Sequence, residues 1–202
     1  MRVSKRVKCE EFPCTDVKHE CYVIPGVDVN PGDISIVMIS EAAPEDSGDY
    51  YYSKGDPLFA QTTVQAFRDA GEDVSSLEDV VGLGVYLTTA VKCGKTGYGI
   101  KAATIKECSS LLEKELGLFP KTKVLMLMGD VAIKAVNYIA KRAGEGRVIP
   151  AGSTYKIRGQ EYFFQGKRVF PSYLQAGPSF FIEKSKRRMI AEDIGVALRL
   201  VK

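Results

Sequence analysis

"ISIVMISEAAPEDSGDYYY" runs from Ile34 to Tyr52, and its reading sets the fold. The first six residues are apolar but for Ser35, the pattern of a strand buried on both faces. The run then empties into carboxylates and three tyrosines. Two more such runs follow, "LGVYLTTAV" (83–91) and "KVLMLM" (123–128). Helical patterns separate them. "PLFAQTTVQAFRDAG" (57–71) places Leu58, Val64 and Phe67 near one side and stops at Gly71. "KAATIKECSSLLEKELGLF" (101–119) is amphipathic through Ile105, Cys108, Leu111, Leu112 and Leu116, and Gly129 turns the chain into "DVAIKAVNYIAKRAG". Beyond Pro150, "STYKIRGQEYFFQGKRVFPSY" reads as short strands joined at Gly159 and at "QGK". A last helix over about 180–199 opens with Lys184, Lys186, Arg187 and Arg188. Apolar strands alternating with helices predict an α/β fold with a mostly parallel sheet covered on both faces. Ligands in such sheets bind beyond the carboxyl ends of the strands, which is where Glu41, Pro44, Thr88 and Thr89 fall.

Bulk properties narrow the function classes. A chain of 202 residues is most simply one domain, 1–202, with a cysteine-bearing N-terminal segment over 1–30. Hydrophobic residues make up 45% and charged residues 26%, ordinary values for a globular protein. A net charge of +3 permits a nucleic-acid partner without demanding one. No apolar run is long enough to span a membrane, and no apolar segment follows the basic N-terminus as a secretory signal requires. The expected location is the cytoplasm, and the expected state is a monomer. Five cysteines, Cys9, Cys14, Cys21, Cys93 and Cys108, are an odd number for that compartment. The first three lie in a polar stretch rather than an apolar one, which favours metal ligation over core packing.

The segments also fall into an order that resembles the uracil-DNA glycosylase superfamily, closest to its iron–sulfur branch (family 4). "SEAAP" (40–44) stands where that branch has Gly-Glu-Ala-Pro-Gly, and "GDPLF" (55–59) where it has a Gly-x-Pro-Phe loop. "TTAVKC" (88–93) matches Thr-Asn-x-x-Lys-Cys except at one position. "ECSSLLEKELGLFPKTKVLMLMGDVA" (107–132), "KIRG" (156–159) and "RVFPSYLQAGPS" (168–179) complete an ordered set over about residues 9–195.

The resemblance implies a three-layer α/β/α sandwich, a DNA partner and a 4Fe-4S cluster on four cysteines. Cys93 and Cys108 match two of the ligands. Cys9 and Cys14 are preferred to Cys21 for the others, although the family's tight Cys-x-x-Cys is absent. Glu41 takes the catalytic carboxylate position. Ala42, Thr89 and Phe59 (or Leu58, if the loop aligns without a gap) take base-binding positions. The late loop, aligned on either Pro171-Ser172 or Pro178-Ser179, is expected at the DNA backbone, with Lys186 and Arg187 behind it. Lys92, Lys95 and Lys101 are further candidates for phosphate contact.

Two departures bear on activity. The family's base-reading Asn is Thr89, which offers one hydroxyl in place of an amide. The family's late-loop His is missing under both alignments, the one histidine being His19, read as an exposed neighbour of Cys21. The expectation is a DNA glycosylase with weak or altered uracil activity, hydrolysing the N-glycosidic bond of a flipped base. The alternative is a non-catalytic iron–sulfur nucleic-acid-binding relative. A third reading is an enzyme of free nucleosides or nucleotides.

Overall fold

The computed structural model describes residues 1–97 and 99–202. In chain order the elements are β1 (Val17–Lys18), β2 (Ile36–Ala43), α1 (Leu58–Asp69), α2 (Leu77–Gly82) and β3 (Val85–Lys95). Then come α3 (Ala102–Leu116), β4 (Val124–Met128), α4 (Asp130–Arg142) and α5 (Thr154–Ile157). β5 (Tyr162–Phe164), β6 (Lys167–Ser172), α6 (Ser179–Ile182) and α7 (Lys184–Arg199) close the chain. Among the described residues the strands form one sheet in the order β1-β3-β2-β4-β6-β5. The four central strands are parallel, and the edge strands β1 and β5 run antiparallel to their neighbours.

Burial on both faces explains why β2 reads as an unbroken apolar run. Val37 and Ile39 pack with Ile105 and Leu112 of α3 and with Val136 and Ile139 of α4. Ile36 and Met38 face the opposite way, onto Val64 and Phe67 of α1, Val80 of α2, and Ile190 and Ile194 of α7. Two helical layers thus sandwich the sheet, the α/β/α architecture that the alternating pattern predicts. No helix among the described residues is long and apolar enough to cross a membrane.

Local chemistry accounts for the differences from the sequence expectations. Thr154–Ile157 is a helical turn, not a strand, and Ile157 is its one buried side chain. The last helix breaks at Glu183, whose φ of −95° and ψ of 75° are not helical. Helix α2, unanticipated because it is only six residues long, begins at a reciprocal cap. There Ser76 accepts from the Asp79 amide while the Asp79 carboxylate accepts from the Ser75 and Ser76 amides. Those donors hold the Asp79 carboxyl down to about 2.

One buried ion pair ties the α3 layer to the sheet. Lys92 on β3 and Glu115 on α3 are both fully buried and 2.5 Å apart. The Lys92 ammonium also donates to Thr88 Oγ1 (2.8 Å) and to the Thr89 carbonyl. Glu115 in turn accepts from the hydroxyls of Tyr86 (2.6 Å) and Thr88 (2.9 Å). This placement corrects the reading of Lys92 as a phosphate contact, because its charge is spent inside the protein. Removing one partner strands the other as an uncompensated, fully buried group. Lys92→Met is therefore expected to lower the unfolding free energy in urea by about 3–5 kcal/mol. Lys92→Met combined with Glu115→Gln, which keeps an acceptor for Tyr86 and Thr88, should recover much of that loss. A single-variant loss below about 1 kcal/mol is what an exposed pair gives, and would refute this role.

Candidate active site

Glu41 lies near the carboxyl end of β2, just before the register shift between Ala42 and Ala43. Its side chain is 18% exposed, and Lys95 Nζ stands 3.6 Å from Oε2. The carboxylate folds over Gly129, the residue between β4 and α4. A Cβ built there would lie 2.7 Å from Glu41 Oε1, and the Gly129 φ of +103° is one that L side chains rarely adopt. A carboxylate is thereby held near the amino end of a 13-residue helix, where the helix dipole favours negative charge.

The neighbouring residue, Ser40, faces the α1/α7 side with Thr89 opposite it in register. Ser40 Oγ bonds the Tyr51 hydroxyl and donates to Gln175 Oε1 at 3.2 Å. Gln175 Nε2 donates to the Tyr51 oxygen at 2.9 Å, closing a buried ring of three side chains. The Tyr51 ring meets Phe59 edge-on, with centroids 5.3 Å apart. Burial pushes the Tyr51 phenol above its usual range. Thr89 Oγ1 is buried without a hydrogen-bond partner. Leu58 and Phe59 are half-buried and Ala42 is buried. Of the residues expected to hold a base, Phe59 packs against Tyr51 and Thr89 lies beside Ser40, whereas Ala42 belongs to the core on the α3/α4 face. The sequence marked Tyr50 to Tyr52 as a loop that either lines the pocket or faces solvent, and it did not mark Gln175. Tyr51 belongs to a loop-like stretch, and a glutamine in "YLQAGP" carries no periodic signal.

Four thiols, those of Cys9, Cys14, Cys93 and Cys108, line a separate cavity of about 440 Å³ together with His19 and Tyr22. Burial, with the neighbouring thiols, pushes Cys93 up to about 12. Burial also lifts Cys108 to about 11 and raises Cys14. Cys21 does not line this cavity, and its thiol donates to the Glu45 carbonyl at 3.1 Å. His19 is half-buried against Phe12 rather than exposed. Among the described residues no three His, Cys, Asp or Glu side chains are arranged to hold a single metal ion.

A family model described as "Uracil DNA glycosylase superfamily" matches residues 27–192. The chain belongs to that superfamily. It is also 26% identical over 123 residues to the type-5 uracil-DNA glycosylase of Thermus thermophilus. The match covers 61% of this chain and 53% of the relative, so the chain spans about half the length of that protein.

Within the superfamily frame, the late loop needs correction. Pro171 and Ser172 lie inside β6 and are buried. Ser172 Oγ donates to Asp193 at 2.6 Å, and Asp193 is further held by Arg158. Neither residue reaches the surface that DNA would touch. Pro178 and Ser179 are exposed, as are Phe181 and Ile182 after them. Lys186 is paired with Glu183 at 2.5 Å, and Arg187 is clasped by Asp69 at 2.7 Å, so both cations are engaged internally. Lys184 and Arg188 stand more exposed beside them, and Lys101 is exposed at the start of α3.

The close approach of Glu41 to Gly129 generates a prediction. Gly129→Ala forces the carboxylate aside and places a side chain in a glycine-only region. We expect a destabilisation of about 1–3 kcal/mol by chemical denaturation. Gly146→Ala, where a Cβ meets nothing within 4 Å, is the control, expected within about 0.5 kcal/mol of the parent. Equal effects in the two variants would contradict the packing described.

Proposed function

We propose that the chain is a DNA N-glycosylase of the iron–sulfur branch, acting on a flipped, damaged base. The observation that carries this reading is Glu41, a partly exposed carboxylate between Lys95 and the α4 amino end, at the carboxyl edge of the parallel sheet. In the reaction the bond between the sugar C1′ and the base nitrogen breaks. Its electron pair leaves with the base, and positive charge develops on the sugar. Glu41 stabilises that charge and orients the attacking water, whose oxygen bonds to C1′ and whose proton is released. No histidine stands in the late loop to support the departing base. Loss of one such donor costs about a hundredfold in rate, which fits a slow enzyme or one turned to a base that leaves more easily.

Cys9, Cys14, Cys93 and Cys108 would hold a 4Fe-4S cluster. The all-sulfur donor set and its spread around one cavity suit a cluster, in which each iron takes one thiolate, better than a single ion. Bound there, such a cluster would tie the N-terminal segment, β3 and α3 together through these four thiolates. Protein prepared without oxygen is expected to carry close to four irons per chain by colorimetric iron assay. Cys108→Ala should lose them and Cys21→Ala should keep them. The opposite pattern would reassign the ligands.

A second reading, a binding relative without turnover, is favoured by Tyr51 filling the space next to Phe59. The two readings separate on oligonucleotides bearing uracil, hypoxanthine, xanthine or an oxidised pyrimidine. Alkali-labile abasic sites that fall at least about a hundredfold in Glu41→Ala are expected for the enzyme. Salt-sensitive binding with no abasic product from any lesion would favour the binding relative.

A further inference from the structure

The base-reading amide that is missing at Thr89 has a counterpart from another part of the chain. Gln175 enters from the late loop, 135 residues beyond Ser40, and is fully buried. Its loop is pressed onto α1: the Gly177 amide donates to Thr62 Oγ1, and Gly177, at a φ of +106°, sits close to the Phe59 ring. An amide side chain carries two N–H donors and two carbonyl lone pairs. Gln175 uses one donor on Tyr51 and one lone pair on Ser40. One of each is left over in a buried place, where unspent polar capacity is costly. Thr89 Oγ1, on the strand opposite Ser40, is likewise unpartnered.

Tyr51 explains what the spare capacity is for. It is a flat ring packed against Phe59, with a polar tip on Ser40 and Gln175. A flipped base packed against Phe59 would likewise set an aromatic ring on Phe59 and a polar edge on Ser40 and Gln175, face-on where Tyr51 is edge-on. Tyr51 also has somewhere to go. With Tyr52, Pro57, Ala60 and Gln61 it lines an open cavity of about 690 Å³ that Ser40, Gln175 and Phe59 do not line.

We propose that Gln175 is the specificity-determining residue, reading the base edge after Tyr51 swings out of the pocket; this rests on the reading that a flipped base occupies this site. As Ser40 holds it, the amide turns Nε2 toward the space Tyr51 fills and keeps Oε1 beside it. A base in that space must offer a carbonyl to Nε2 and an adjacent ring N–H to Oε1. That is a lactam edge, as in uracil, hypoxanthine or xanthine. Thymine and guanine carry it too, so Gln175 discriminates against bases that present an amino group there, and other lesion features must exclude those two. Cytosine and adenine present an amino group to a donor and are rejected.

The test measures binding rather than cleavage, so it reads recognition separately from turnover. The full chain is titrated with duplexes carrying one uncleavable 2′-fluoro nucleoside, with uracil or hypoxanthine as the base. The controls carry the same bases methylated on the ring N–H, or no lesion. The wild type is expected to prefer the lactam bases about tenfold or more, the worth of one to two hydrogen bonds. Gln175→Leu should erase that preference while leaving salt-dependent binding of undamaged duplex in place. Gln175→Glu, which only accepts when ionised, should shift preference toward amino-bearing bases. Absence of preference in the wild type, or its survival in Gln175→Leu, overturns the proposal. If Gln175→Leu does not fold, the methylated controls on the wild type still decide. Selective binding with no abasic product from cleavable substrates would sink the glycosylase reading and leave this one standing.

Discussion

One buried lysine organises this molecule. Lys92 sits on β3 between Thr89, beside Ser40 of β2, and Cys93, at the thiol cavity. Its ammonium reaches back along its own strand to Thr88 and Thr89 and across to Glu115 on α3, the helix that also carries Cys108. A charge in so dry a place is tolerable only when every proton has an acceptor, and here three acceptors meet it. The constraint fixes the rotation of α3 against the sheet. Cys93 follows Lys92 on the same strand and Cys108 lies on the helix that carries Glu115, so the pair joins the two elements that bring these thiols to one cavity.

The two faces of the sheet have been given different work. On the α3/α4 face, alternate residues of β3 lead from core packing at Tyr86 to the ion pair and on to the sulfur-lined cavity. On the α1/α7 face, Ser40 bonds Tyr51 and Gln175, with Thr89 beside it in register and Phe59 against the Tyr51 ring. Glu41 stands at the rim, pinned against a glycine that leaves no alternative packing on that side. A carboxylate positioned by a backbone turn is better fixed than one positioned by other side chains, because main-chain atoms do not change rotamer.

Most of the framework was legible because it rests on periodicity. β2, β3 and β4 announce themselves as apolar runs, and α1, α3 and α4 as stripes closed by glycine. The uracil-DNA glycosylase order of motifs then put Glu41 at the strand end. What escaped was pairing across distance. Lys92 reads as a surface cation until Glu115 is seen to continue the buried stripe of Ile105, Cys108 and Leu112, a signal present in the spacing. Pro171 and Ser172 were ambiguous because the "FPSY" and "GPSF" segments look alike, and only the register of β6 against β4 separates them. The tyrosine run marked Tyr51 as a loop residue beside the strand end, but Gln175 had no local signal. Their meeting depends on two loops more than a hundred residues apart.

The stretch from Lys8 to Asp16 draws a thermodynamic consequence from the way it is moored. Val7 is buried in the core at one end, and at the other Asp16 bonds Thr104 and the Lys101 amide at the start of α3. Between these anchors Cys9 is held by its amide to the Tyr22 hydroxyl, and Phe12 adopts a left-handed φ of 46°. Most of the entropy of closing this loop is therefore lost when the sheet and α3 fold, before Cys9 and Cys14 bind anything. Whatever those two thiols come to hold meets a preformed rim, so its binding free energy goes into affinity rather than into ordering the chain.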